Sequence, residues 1–248
     1  MTTLSAEQIS FYKNNGYLCI KNVFSPEEMF EVRRDMDKFA KGTFTNYLDM
    51  HYHKSIKNVH RCKRMCDIAD AIIGLRAIPI GCTAFFCKPN NPLENGSIWH
   101  QDNYGTLAAD PNCFINIAIA VDPADSSNGS LIVAPKTHKL GELPNKPKAN
   151  FSIDKNGKRY NSSSIGNECK LPEEAEIKQL EYDSGDAIIL HSHILHMAKK
   201  NMHSHKWRRS LYYLYIGDKI AFWPGWTARR ELLDRYDSPT CIEDQYEN

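Results

Sequence analysis

The sequence predicts a mainly β domain, a sandwich or jelly roll, with helices along its N-terminal flank. Three observations predict it. Short apolar segments of similar length recur from about residue 77 to 217, turn residues separate them, and the helix signals gather in the first 76 residues. A chain of 248 residues is long enough to bury a core in one domain. The expected organisation is therefore a single domain over 1–248: helical flank at about 1–76, β core at about 77–217.

The elements follow in order. Ser5-Ala6-Glu7-Gln8 is a capping box, and Gly16 ends the helix it starts. Tyr17 to Ile20 is a short strand. Ser25-Pro26-Glu27-Glu28 opens a second helix, with Met29, Val32, Arg33 and Met36 at helical spacing up to Gly42. Residues 43–76 are ambiguous, with a helix over Ile68 to Leu75 ending near Gly74. Strands are then expected at Cys82 to Cys87, Ser97 to Asp102, Phe114 to Val121, Ser130 to Ala134, Ala187 to Leu195 and Ser210 to Ile216. Asn128-Gly129 is a turn signal. Residues 141–182 are long and polar for a loop inside a domain, which suggests a lid insert over the site.

Composition excludes several classes. Apolar residues make up 42% and charged residues 25%, so disorder and fibrous structure are not expected. A net charge of +1 gives no field toward nucleic acid or an anionic membrane. No apolar run approaches the roughly 20 residues of a membrane span, and Met1 to Ser5 lack a signal-peptide pattern. The expectation is a cytoplasmic protein acting on a small molecule. Eight scattered cysteines fit reduced thiols. His60, Cys62 and Cys66 have one zinc-like spacing, but no second pair follows, so buried thiols are the preferred reading.

The chemistry begins at Trp99-His100-Gln101-Asp102. On an extended segment, residues two apart share a face, so His100 and Asp102 project together. An imidazole and a carboxylate are two-thirds of the facial triad that non-haem iron(II) oxygenases use. Further along, an apolar strand runs into three histidines, His191, His193 and His196. His196 is favoured as the third ligand because it stands where the strand ends, although strict alternation sets it on the opposite face from His191 and His193. Arg208 and Ser210 are again two apart. A buried arginine beside a hydroxyl calls for an anionic partner, and its planar fork suits a carboxylate. Arg208 is favoured over Arg209 because Arg-x-Ser then holds.

Together these residues resemble the phytanoyl-CoA dioxygenase-like family of 2-oxoglutarate oxygenases. The segments are LSAEQISFYKNNGYLCIKNVFSPEE, IWHQD, DSSNGSLIVAPKTHKLG, GDAIILHSHILHMAKKN and RRSLYYLY, and they cover nearly the whole chain. The resemblance implies a double-stranded β-helix of the cupin-like type. It implies iron(II), 2-oxoglutarate and O2, with release of succinate and CO2 as a substrate is oxidised, most simply by hydroxylation. By position it assigns His100, Asp102 and His196 to the metal and Arg208, with Ser210, to 2-oxoglutarate. Met197-Ala198 and Pro135-Lys136-Thr137-His138 depart from the family's usual Gly-Ser and Pro-Gly-Ser-His. Asn103, Tyr104, Asn116, Lys88 and His193 are candidates for the pocket, and Trp223 and Trp226 for its mouth. Two other functions compete. A cupin-like isomerase or dioxygenase without a keto acid would explain the histidines but not Arg208. A non-catalytic binding protein would leave the complete ligand set unexplained.

Overall fold

Capping fixes the first two helices as the sequence implies. In the computed structural model, which describes residues 4–39, 46–48, 53–90, 96–103, 108–148, 151–153, 159–161, 166–221 and 232–236, α1 spans Ala6–Asn15 and α2 spans Pro26–Phe39. Ser5 and Gln8 cap each other reciprocally, and so do Ser25 and Glu28. Gly16 closes α1 in the left-handed conformation. Two more helices fill the ambiguous region, α3 (Lys54–Arg61) and α4 (Lys63–Ile73). The expected helix at Ile68 thus starts earlier, and α3 was not foreseen because neither helix has a side-chain cap to announce it.

The strands are β1 (Tyr17–Ile20), β2 (Asn46–Leu48), β3 (Ala77–Cys87), β4 (Phe114–Ala120), β5 (Leu131–Ala134), β6 (Asn145–Lys148), β7 (Phe151–Ile153), β8 (Arg159–Asn161), β9 (Gly166–Cys169), β10 (Lys178–Gln179), β11 (Ala187–His191), β12 (Leu195–Ala198) and β13 (Arg208–Gly217). They form a six-stranded antiparallel sheet ordered β1-β11-β4-β13-β3-β2 and a smaller sheet ordered β10-β5-β12. The expected strand over Ser97 to Asp102 is a shorter bridged segment. It lies along β12 through Ser97 N–H to Ala198 O at 2.8 Å and a mutual pair of bonds between His100 and His196.

Period-two alternation sorts the large sheet into two faces. On β4, Ile115, Ile117 and Ile119 are fully buried among the helices, while Asn116, Ala118 and Ala120 face the small sheet. On β13, Leu211, Tyr213 and Tyr215 take the helix side, and their hydroxyls bind α3: Tyr213 to Ile56 O at 3.0 Å, Tyr215 to His60 O at 2.6 Å. His60 stacks on Tyr213 and meets Tyr215 edge-on. Cys62 and Cys66 are buried beside it, and burial pushes their thiols up to about 11 and about 12. Cys62 Sγ donates to Val59 O at 3.3 Å, and both thiols pack into the helix-side core.

The expected single strand from Ala187 to Leu195 is instead two. β11 ends at His191 in the large sheet, and β12 begins at Leu195 in the small one. The polar stretch 141–182 carries the pairs β6–β9 and β7–β8. Its last residues belong to the small sheet: β10 pairs with β5, and Leu180 and Tyr182 are buried between the sheets. No described helix is long and apolar enough to cross a membrane.

Candidate metal centre

Two histidines face each other across a backbone ladder. His100 and His196 exchange both main-chain hydrogen bonds at 3.1 Å, which places their side chains on one face with ring centres 4.2 Å apart. Each Nδ1 meets the carbonyl two residues earlier, His100 to Ile98 at 2.7 Å and His196 to Ile194 at 3.1 Å. A carbonyl accepts, so each Nδ1 carries the proton and each Nε2 presents a lone pair. This is how metal-binding imidazoles are usually held. Burial first, then the facing imidazole, pushes the His100 pKa down to about 4, so it is neutral near pH 7.

Asp102 completes the group. Its Oδ1 lies 3.8 Å from His100 Nε2 and 3.7 Å from His196 Nε2, and the three ligand atoms fall within 4.8 Å of one another. Gln101, between the ligands, points the other way and is fully buried. Its amide donates to Gly141 O at 2.9 Å and His193 O at 2.7 Å and accepts from Leu143 N–H at 2.9 Å. Trp99 O accepts from Cys169 N–H at 2.9 Å. The ligand segment is thus tied to both strands at one end of the β6–β9 pair, just before β6 begins and where β9 finishes.

The two arginines separate by face. Arg208 is buried, pairs in register with Cys87, and donates to the carbonyls of Asn128 at 3.2 Å and Lys199 at 3.4 Å. Gly129 permits this approach: its φ is +79°, and a Cβ there would lie 2.3 Å from Lys199 O. Ser210 lies two residues on, between Ala120 and Phe85 in register. It is buried, and its hydroxyl meets no partner among the described residues. Arg209 turns to the helix side, where its fork binds both oxygens of Asp122 at 2.6 and 3.1 Å, and it also pairs with Asp37. Arg33 shares Asp122 at 3.0 Å. Arg209→Ala should therefore act on folding. Breaking a buried pair costs about 3 kcal/mol or more, so a urea titration should show that loss while the folded variant binds 2-oxoglutarate like wild type.

The remaining candidates divide. Asn116 reaches the centre, donating from Nδ2 to Asp102 Oδ2 at 3.1 Å. Asn103 bonds Ala108 instead, donating to Ala108 O and accepting from Ala108 N–H. Lys88 lies 5.9 Å from the Trp207 ring, which also carries Arg209, and so stands on Arg209's side. His193 is in the corner between β11 and β12, outside the ligand group, with its N–H bound to His191 Nδ1 at 3.0 Å. Burial, and then its neighbours His138 and His193, push the His191 pKa down to about 3. Tyr104, Trp223 and Trp226 lie outside the described residues. The role of Gln101 was missed, since its partners are remote in sequence and no local pattern points to them.

Comparison with known proteins identifies the fold and the family. No curated protein matches the chain. Solved structures do match. EctD from S. alaskensis in its apoform has a TM-score of 0.71 at 14% identity, over 95% of this chain and 88% of that one. The epimerase SnoN, solved with Fe3+, alpha ketoglutarate and nogalamycin RO, has a TM-score of 0.69 at 14% identity, over 94% of each chain. The carbocyclase SnoK from nogalamycin biosynthesis has 0.65 at 15% identity, over 95% and 94%. At these identities the likeness establishes the fold, a cupin-like jelly roll. The sequence itself matches the phytanoyl-CoA dioxygenase (PhyH) profile over residues 12–210, which is most of its length. The chain is a member of the phytanoyl-CoA dioxygenase family.

Proposed function

We propose that this protein is an iron(II)- and 2-oxoglutarate-dependent oxygenase that hydroxylates a small polar molecule. The observation that carries the reading is the two-His, one-carboxylate group, with both Nδ1 atoms turned away onto carbonyls and both Nε2 atoms turned inward. That donor set suits a divalent metal with positions left open. The orphaned Ser210 hydroxyl, on the same face as buried Arg208, fits a carboxylate-bearing cosubstrate.

Bound iron and 2-oxoglutarate supply the oxidant there: O2 is consumed, 2-oxoglutarate loses CO2 to become succinate, and one oxygen atom goes to the substrate. The chain's own residues do the rest. His100, His196 and Asp102 hold the metal with one negative charge. Arg208 and Ser210 take the far carboxylate of 2-oxoglutarate by charge-assisted hydrogen bonds. The insert that follows Gly141, tied to the ligand segment through Gln101, would serve as the lid over the site.

Solved proteins of this shape include an epimerase, a carbocyclase and a protein crystallised with 5-hydroxyectoine. Hydroxylation is the simplest outcome consistent with a carboxylate at Asp102. The test is succinate release from purified protein given iron(II), ascorbate and 2-oxoglutarate, with a metabolite panel as the variable. Substrate-stimulated succinate matched by a product 16 Da heavier supports the reading. Metal-dependent conversion of substrate without succinate would transfer the protein to the keto-acid-independent cupin enzymes.

A further inference from the structure

Asn116 stands on the inner face of β4, where its register partners are Leu214 on β13 and Leu190 on β11. It is 6% exposed. An amide among leucines and alanines needs a reason, because burying it costs free energy unless its hydrogen bonds are made. The side chain makes one. Nδ2 donates to Asp102 Oδ2 at 3.1 Å, while Oδ1 is buried without a partner among the described residues. The orientation of the amide is fixed by chemistry: turned over, its oxygen would face a carboxylate oxygen, two acceptors with no proton between them. Asn116 thus accepts an unsatisfied carbonyl in order to hold Asp102. An apolar residue would serve the sheet better.

The contact also decides which carboxylate oxygen is available. Oδ2 is engaged by Asn116, while Oδ1 lies 3.7 to 3.8 Å from the two imidazole Nε2 atoms. We propose that Asn116 is the positioning residue for the metal ligand Asp102, holding Oδ2 in the large sheet so that the carboxylate offers the metal Oδ1 alone. A single carboxylate oxygen leaves three positions of an octahedral metal open. Both oxygens would leave two, too few for a bidentate keto acid together with O2. This inference rests on the metal centre proposed above and adds a residue that no ligand motif names.

The test uses Co(II) as probe on the metal-free protein, with Kd from calorimetry and coordination read from visible absorption. Wild type, Asp102→Ala, Asn116→Leu and Asn116→Thr are compared, with thermal melts to check folding. Loss of a group that orients a ligand weakens metal binding by about 10- to 100-fold. Asn116→Leu should show that loss together with an altered Co(II) spectrum, and Asn116→Thr, which keeps a shorter donor, should recover part of both. If leucine prevents folding, Asn116→Ala carries the same reading. A leucine or alanine variant with wild-type Kd and spectrum, while Asp102→Ala loses Co(II), overturns the role of Asn116 and leaves the metal centre standing. Wild type and Asp102→Ala binding Co(II) alike would overturn the metal centre and this role with it.

Discussion

Replacing His196 with alanine should abolish metal binding and turnover while leaving the fold in place. The ladder that holds His196 opposite His100 is made by main-chain atoms, which the substitution keeps. What is lost is one of three ligand atoms. Since removal of an outer partner alone costs up to about 100-fold in metal affinity, removal of the ligand itself should exceed that. His193→Ala should behave differently. Its side chain is outside the ligand group, and its structural contacts, Gln101 to the carbonyl and His191 to the N–H, are again main-chain. Metal titration and succinate release, measured side by side on both variants, make the check. Retained metal in His196→Ala with loss in His193→Ala would move the third ligand to the corner.

Arg208→Ala should give the second large effect, on 2-oxoglutarate. Truncating one partner of a buried, hydrogen-bonded charge pair costs about 2–5 kcal/mol, which is roughly 30-fold to several thousand-fold in Kd. Ser210→Ala should follow with less, since one hydrogen bond to a charged group contributes about 1.5–3 kcal/mol. Arg208→Lys should not restore affinity, because a point charge cannot present two parallel donors to a carboxylate. Calorimetry with 2-oxoglutarate on the metal-loaded protein reads all three. Arg208 also donates to the carbonyls of Asn128 and Lys199, so a melting curve must accompany each Kd. An unchanged 2-oxoglutarate Kd in a folded Arg208→Ala would remove the residue from the site.

What the sequence disclosed and what it hid follow one division. Local periodicity carried far. His100 and Asp102 share a side because of spacing alone, and Arg208 and Arg209 part for the same reason. The capping boxes at Ser5 and Ser25 are complete within four residues, so α1 and α2 were readable. α3 was not, since His53 makes no side-chain cap. The apparent conflict over His196 arose from treating Ala187 to Leu195 as one strand. Alternation cannot be carried through a corner where the chain leaves one sheet for another, and His191-Ser192-His193-Ile194 contains no glycine or proline to mark that corner. Contacts between distant residues were least visible of all. Gln101 meets Gly141, Leu143 and His193, and β1 pairs with β11 some 170 residues away. Asn116 could be placed on an inward face, yet its attachment to Asp102 depends on how the two sheets close.

The directly opposed pair of His100 and His196 has a consequence for how such a chain can change. Backbone register sets the spacing between these two imidazoles. Inserting or deleting one residue in the corner between β11 and β12 slides β12 by one place and reverses the direction of every side chain it carries. His196 would then point away from His100, and Met197 or Leu195 would stand where the imidazole was. Substitutions in the corner change its packing, whereas a change of length breaks the facing pair. Substitutions at this buried corner are therefore expected to cost stability in proportion to the packing they disturb, whereas a change in residue number should remove metal binding altogether.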